Sequence, residues 1–190
     1  GRWELDAKLM QKAGFNVVAG EADKGYLAAA YALGVKVLAS PLTSAGGTFD
    51  ASAARRAVAA FDSHPALWAW CLIDEPDLNR VAPQDVLNAH RFLRNLPARK
   101  PTALTLYQGY RALDYAHLSD ILMIDRYPIP WLPLANFPQH VRMARLALGK
   151  TKPLIAVIQA FDWSLHPALL PEEKNLRAPA YEELRCMTYS

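Results

Sequence analysis

The sequence predicts an α/β protein of the (β/α)8 TIM-barrel type, incomplete, with about six β/α units. Three observations carry that expectation. Strand-like and helix-like patterns alternate without a long polar linker, which implies parallel strands joined by right-handed crossovers. The run Leu67-Trp68-Ala69-Trp70-Cys71-Leu72-Ile73 is apolar without alternation, as suits a strand covered on both faces, and it stops at Asp74-Glu75-Pro76. Polar and aromatic residues then recur just past successive strands, and sites pooled from many strand ends mark a barrel rather than a doubly wound sheet. Residues 1–190 are read as one partial barrel domain.

The elements follow in order. Leu5, Leu9, Met10 and Ala13 give helical spacing, stopped by Gly14. Asn16 to Ala19 reads as a short strand, Tyr26 to Leu33 as a helix closed by Gly34, and Val35 to Ala39 as a strand closed by Ser40-Pro41. Asp50 or Ser52 caps a helix through Phe61. After the strand from Leu67 to Asp74, Pro83 suits the first turn of a helix in which Val86, Ala89, Leu93 and Leu96 share a face. Thr102 to Leu106 is β-branched and apolar, and a helix near Tyr110 to Leu118 separates it from the strand Ile121 to Ile124. Pro138 opens a helix that Gly149 closes, Leu154 to Ile158 is the next strand, and a last helix starts near Pro179 and runs through Leu184 and Met187. Six strands fall short of closure at about eight, so the first and last strands are expected to be missing. That would leave apolar edges at Asn16 and Leu154, which natural proteins rarely leave open. A homodimer through those edges is one expectation; cover by another chain, or a fragment of a larger molecule, are the others.

Composition narrows the function classes. An apolar fraction of 52% and an aromatic fraction of 10% belong to a packed globular chain. No stretch of about eighteen apolar residues occurs, so no membrane partner is expected. The charge of +3 is mild and its basic residues, such as Arg91, Arg94, Arg142 and Arg145, scatter over outer helices, so no nucleic-acid partner is expected. Cys71 and Cys186 lie far apart and give no disulfide framework. His64, His90, His117, His140 and His166 lack metal-ligand spacing, and no metal or other cofactor is expected. Gly46-Gly47 is an ordinary loop pair rather than a phosphate loop, and no serine sits in a nucleophile elbow, which argues against an esterase. No compartment follows; a signal peptide ahead of Gly1 would make the protein secreted or periplasmic.

A resemblance carries the functional expectation. His64-Pro65-Ala66-Leu67-Trp68-Ala69-Trp70, followed by Asp74-Glu75-Pro76, resembles the fourth strand of retaining glycoside hydrolase barrels, the large clan with an Asn-Glu-Pro acid/base motif. Asp125-Arg126-Tyr127-Pro128 resembles the sixth strand end of related sugar-active barrels. Ala178-Pro179 with Glu182-Glu183-Leu184-Arg185 is similar to an uncharacterised glycosidase-like branch. The layout covers nearly the whole chain, the specific motifs only a few short runs. The resemblance implies hydrolysis of an oligo- or polysaccharide with Glu75 as general acid/base. Aromatic neighbours at a strand end would desolvate Glu75 and raise its pKa; the competing reading is a helix cap or an ion pair.

Strand alternation then turns Asp74 away from the axis, where it would bond a neighbour and orient Glu75. The family's second carboxylate is a Glu at the end of strand seven, where this chain has Val157-Ile158-Gln159-Ala160-Phe161. Glutamine cannot be a nucleophile but can hydrogen-bond a hydroxyl. Asp125 is the substitute as second catalytic residue, against a salt bridge to Arg126 or Arg111. A third arrangement pairs Asp74 with Glu75 and uses a substrate acetamido group, which needs a bulge to turn Asp74 inward. Tyr107, Tyr127, Phe161 and Trp163 are candidate sugar platforms, while Trp68 and Trp70 read as packing. Two further readings remain beside the enzyme: a non-catalytic carbohydrate-binding or scaffold barrel, which Gln159 favours, and an inactive fragment of a larger glycosidase.

Overall fold

The computed structural model describes residues 8–39, 42–43, 48–165 and 176–190. Leu5, Ser40-Pro41, Gly46-Gly47 and His166 fall outside them. The strands β1 (Val17–Gly20), β2 (Lys36–Ala39), β3 (Leu67–Cys71), β4 (Thr102–Leu106), β5 (Ile121–Ile124) and β6 (Leu154–Ala156) form a six-stranded sheet in sequence order. Every neighbouring pair is parallel. Because the strand order never reverses, every crossover steps the same way. The sheet curls into a half-barrel, compatible with an incomplete barrel.

Helices α1 (Lys24–Ala32), α2 (Ala51–Phe61), α3 (Pro83–Arg94), α4 (Ala112–Tyr115), α5 (Asn136–Leu148) and α6 (Tyr181–Tyr189) alternate with the strands. Local chemistry sets their ends. Asp23 caps α1 by accepting from Gly25 N at 2.7 Å and Tyr26 N at 3.0 Å. Asp50, not Ser52, caps α2, accepting from Ala53 N at 2.9 Å. Pro83 occupies the first turn of α3, where its missing N–H costs nothing. Gly14, Gly34 and Gly149 adopt the left-handed conformation that stops a helix. On α6, Glu183 accepts from Ala180 N at 2.7 Å and pairs with Arg177 at 2.6 Å, so that part of the Glu-rich motif is a helix start.

Several boundaries differ from the sequence reading. Helix α5 opens at Asn136, and Pro138 lies inside its first turn, where backbone N–H groups have no helical partner. The helix expected over Tyr110 to Leu118 is broken into a 3-10 turn, the four-residue α4 and another 3-10 turn. The regular ladder of β3 ends at Cys71 rather than Asp74, and β6 ends at Ala156 rather than Ile158.

The helix-facing side of the sheet holds the main core, where Leu67, Trp70, Leu72, Leu104, Leu122 and Ile124 pack with Leu27, Val58, Val86, Leu93, Tyr115 and Leu148. A much smaller cluster, Ala69, Ala103, Ile121 and Met123, lies on the opposite face. At Trp68 a shift in the β2–β3 pairing leaves that residue without a register partner on β2, and it packs with Ala69 on the side of the smaller cluster. Trp70 is fully buried, and its Nε1–H donates to Asp62 Oδ1 at 2.8 Å. Asp62 also accepts from the backbone N–H of Arg99 at 2.7 Å, so one carboxylate ties β3 to the chain entering β4.

Candidate active site

The ends of β3, β4 and β5 and the chain after β6 surround one cavity of about 630 Å³. Asp74 and Glu75 arrive from β3, Tyr107 from β4, and Asp125, Arg126 and Tyr127 from β5; Phe161 and Trp163 close one side. Of the residues expected from the sequence, Glu75, Asp125, Asp74, Tyr107, Tyr127, Phe161 and Trp163 are thus brought together. Gln159 is not.

Asp74 departs from the alternation argument. Both Asp74 and Glu75 line the cavity, because the ladder stops at Cys71 and the chain leaves the sheet before the carboxylates are reached. Glu75 itself sits at φ 42°, a left-handed conformation costing a non-glycine residue about 1–2 kcal/mol. A tight turn holds it there. Its carbonyl accepts from Leu78 N at 3.0 Å and Asn79 N at 2.9 Å, while Asn79 Nδ2 donates to Asp74 O at 3.1 Å. Strain of this kind persists where the surroundings over-determine it, and it clusters at functional sites.

Electrostatics couples the three carboxyls. Burial is the main reason each titrates above the usual carboxylate range. For Asp74 the Thr105 hydroxyl opposes the shift; for Glu75 the charge of Asp74 adds to it. Asp125, only 5% exposed, is pushed up to about 8 by burial and then by the charges of Glu75 and Asp74. Glu75 and Asp125 meet carboxyl to carboxyl. With both ionised neither can donate, and Asp125 Oδ1 is buried without a partner. One proton between them makes the contact a hydrogen bond, and the pair then titrates as a unit. Tyr127 Oη donates to Asp125 Oδ2 at 3.4 Å. Burial and the nearby carboxylates push that phenol up, so it remains a donor.

An aromatic wall runs beside the acids. Ring centroids lie 5.0 Å apart for Tyr127 and Phe161, 4.7 Å for Phe161 and Trp163, and 5.4 Å for Trp163 and Trp131, with Trp131 reaching solvent at 49% exposure. On the β4 side the Arg126 guanidinium lies 4.1 Å over the Tyr107 ring, and its Nε donates to Asn136 Oδ1 at 2.6 Å. The loop carrying Tyr107 is pinned by Asp77, which accepts from Tyr107 N at 3.1 Å and Gln108 N at 2.7 Å. A second hollow of about 320 Å³ shares Asp74, Asp125 and Tyr127 with the first and descends along the concave face past Thr105 and Met123.

Two expectations are corrected here. Gln159 is fully buried, its Oε1 accepting from Ile129 N at 3.0 Å and its Nε2 donating to Ile129 O at 2.9 Å. Both ends of its amide are engaged, so it shapes the loop after β5 instead of facing the cavity. The alternative salt bridge for Asp125 is also absent among the described residues: Arg111 pairs with Asp114 at 3.1 Å, and Arg126 stacks on Tyr107. Leu78, Trp131 and Leu132 line the cavity without having been singled out. Their position depends on how the loops fold over the rim, which no local sequence pattern reports. Among the described residues no group of His, Cys, Asp and Glu is arranged to hold a metal ion.

No family model and no curated protein matches the sequence. Solved structures do. β-D-Glucuronidase of Dictyoglomus thermophilum superposes with a TM-score of 0.64 at 14% identity, over 97% of this chain and 36% of that one. The likeness is one of fold. A GH2 β-galacturonidase from Eisenbergiella tayi, bound to galacturonate, gives 0.63 at 13% identity, over 84% of this chain and 32% of that one. A putative β-galactosidase from Bacteroides fragilis gives 0.63 at 13% identity, over 99% and 30%. The chain therefore spans about a third of the length of these glycoside hydrolases.

Proposed function

We propose that the chain is the catalytic portion of a glycoside hydrolase built on a (β/α)8 barrel, with Glu75 as general acid/base and Asp125 as second carboxylate, acting on an oligo- or polysaccharide. The observation that carries this reading is the convergence of Glu75 and Asp125 inside one aromatic-walled cavity, where burial pushes both carboxyls up and the charge of Glu75 pushes Asp125 further. Glycoside cleavage needs one carboxyl that is protonated and one that is not, and a pair of acids too close to ionise together supplies both. In a double displacement the pair's single proton, held on Asp125 at rest, passes to Glu75 and from there to the departing oxygen, while the Asp125 carboxylate so freed attacks the anomeric carbon. Glu75 then takes a proton from water, which displaces Asp125. The wall from Tyr127 to Trp131 offers stacking faces for more than one sugar ring. Fold likeness to β-glucuronidases and a β-galacturonidase supports the class of reaction.

A second reading, a barrel that binds carbohydrate without cleaving it, is favoured by Gln159, since no carboxylate occupies the position where the resembled clan keeps its nucleophile. Turnover of a broad panel of aryl glycosides by wild type and Glu75→Gln separates the two. Loss of a general acid lowers the rate roughly 10²–10⁴-fold. Equal rates in both forms remove Glu75 from the chemistry. Sugar binding with no turnover by either leaves the binding protein.

A further inference from the structure

Arg126 is the one cationic side chain lining the cavity among the described residues. It is held in place twice, by the Tyr107 ring beneath its Cζ at 4.1 Å and by Asn136 Oδ1 on its Nε at 2.6 Å. Neither contact neutralises it. Among the described residues no carboxylate lies within ion-pair distance of Arg126, although Asp74, Glu75 and Asp125 line the same cavity. The guanidinium also faces His140, whose imidazolium its charge disfavours. The cavity is therefore bipolar, with an acid cluster on the β3–β5 side and a fixed, unpaired cation on the side where Tyr107 meets α5. Stacking and the Nε bond leave the two terminal nitrogens of the fork, the edge that recognises carboxylate and sulfate oxygens in pairs.

We infer that Arg126 is a specificity-determining residue, and that the sugar taken by this cavity carries an anionic substituent, a carboxylate or a sulfate ester, which the guanidinium fork receives while the acid cluster faces the glycosidic oxygen. The sugar in this statement rests on the glycoside hydrolase reading; the charge rests on Arg126 alone. A neutral sugar would leave the cation without a counter-charge inside a largely apolar wall. An anionic group bound elsewhere in the cavity would meet the carboxyls instead, so the geometry also sets the orientation of the ring.

The test has a binding arm and a turnover arm, both on the full chain. Calorimetric titration compares glucuronate, galacturonate and glucose 6-sulfate with glucose and galactose; turnover uses the 4-nitrophenyl glycosides of the same sugars in both anomeric forms. Wild type is expected to favour the anionic member of each pair by roughly 10- to 100-fold, the range for a hydrogen-bonded charge, and to show it in KM more than in kcat. Arg126→Gln should collapse that ratio, Arg126→Lys should keep part of it, and added salt should shrink it. Preference for uronates alone identifies a carboxylate; equal preference for the sulfate identifies charge as the feature read. Equal affinity of wild type for charged and neutral sugars overturns the inference and leaves the hydrolase reading intact. So does an unchanged ratio in an Arg126→Gln protein that melts like wild type. Turnover of no glycoside, with the binding preference present, overturns the hydrolase reading and leaves Arg126 in its role. Binding of no sugar at all overturns both.

Discussion

Asp125 shows what a single buried acid does to both activity and stability. In an unfolded chain an aspartate titrates near 3.9; here burial and the adjacent Glu75 and Asp74 push it up to about 8. The folded state then holds a proton that the unfolded state has released. Its contribution to stability is complete below about pH 4, declines as pH rises, and is gone above about pH 8, where a buried charge must be carried instead. We expect urea midpoints of the wild type to fall between pH 5 and pH 9 by an amount worth on the order of a few kcal/mol. Asp125→Asn should flatten that fall; parallel pH profiles for the two proteins would remove Asp125 as the titrating group. Activity should fall over the same upper limb, because the shared proton is the one the leaving oxygen takes. Glu75 supports a second expectation. Its left-handed backbone is a strain that glycine does not feel, so Glu75→Gly should match or exceed wild type in stability by up to about 1 kcal/mol while lowering turnover by roughly 10²–10⁴-fold. A large loss of stability in thermal melts of that variant would mean that the glutamate serves the fold.

Among the elements, much was legible from local chemistry and the rest depended on distant partners. Asp23, Asp50 and Pro83 mark helix starts, and Gly34 and Gly149 mark stops, because caps and left-handed residues act within a turn of where they stand. The sequence pattern runs three residues past the end of β3 because Leu72 and Ile73 are as apolar as the strand before them and stay buried, Leu72 N still donating to Ala103 O at 3.0 Å. Alternation therefore does not extend to Asp74, which lines the cavity beside Glu75. The role of Gln159 was also invisible, since Ile129 lies 30 residues away and both its bonds are to backbone. Asp62 belongs to the same class, with partners at Trp70, Arg99 and Lys100. Replacing it by alanine leaves the buried indole N–H and the Arg99 amide without acceptors, each costing about 1–3 kcal/mol. We expect Asp62→Ala to lower the urea midpoint accordingly with its slope unchanged; a variant as stable as wild type would show that water takes over both bonds. Gly109 is constrained by contact, because a Cβ there would run into the His140 carbonyl while its own N–H donates to His140 Nδ1 at 2.8 Å. Gly109→Ala should cost about 1–3 kcal/mol through displacement of α5.

For the whole molecule, burial is graded across the curl of the sheet. All residues of β4 and β5 are buried, β1 buries only Val18, and β6 buries none. The convex side is covered by helices and the concave side by a much smaller cluster, so the sheet is firm along its centre and exposed at both margins. Amide exchange follows such gradients, because opening a region costs the apolar contacts and ladder bonds that its neighbours supply. A single copy in solution should therefore exchange slowly at Leu104, Leu106, Leu122 and Ile124 and faster by orders of magnitude at Val17, Ala19, Ile155 and Ala156. A dimer joined through the open edges makes the opposite demand: β1 or β6 would be protected nearly as well as β5, and that protection would disappear on dilution. Exchange measured across a range of protein concentrations reads both. Edge protection that is high and independent of concentration would contradict the graded picture and the paired one alike, since among the described residues β1 is bonded through β2 alone and β6 through β5 alone. The same experiment bears on the cavity, because its acids all leave from β3 and β5 while part of its aromatic wall follows the marginal β6. Sugar binding should then slow exchange most in the segment from Phe161 to Trp163 and least in β4, where there is little left to protect.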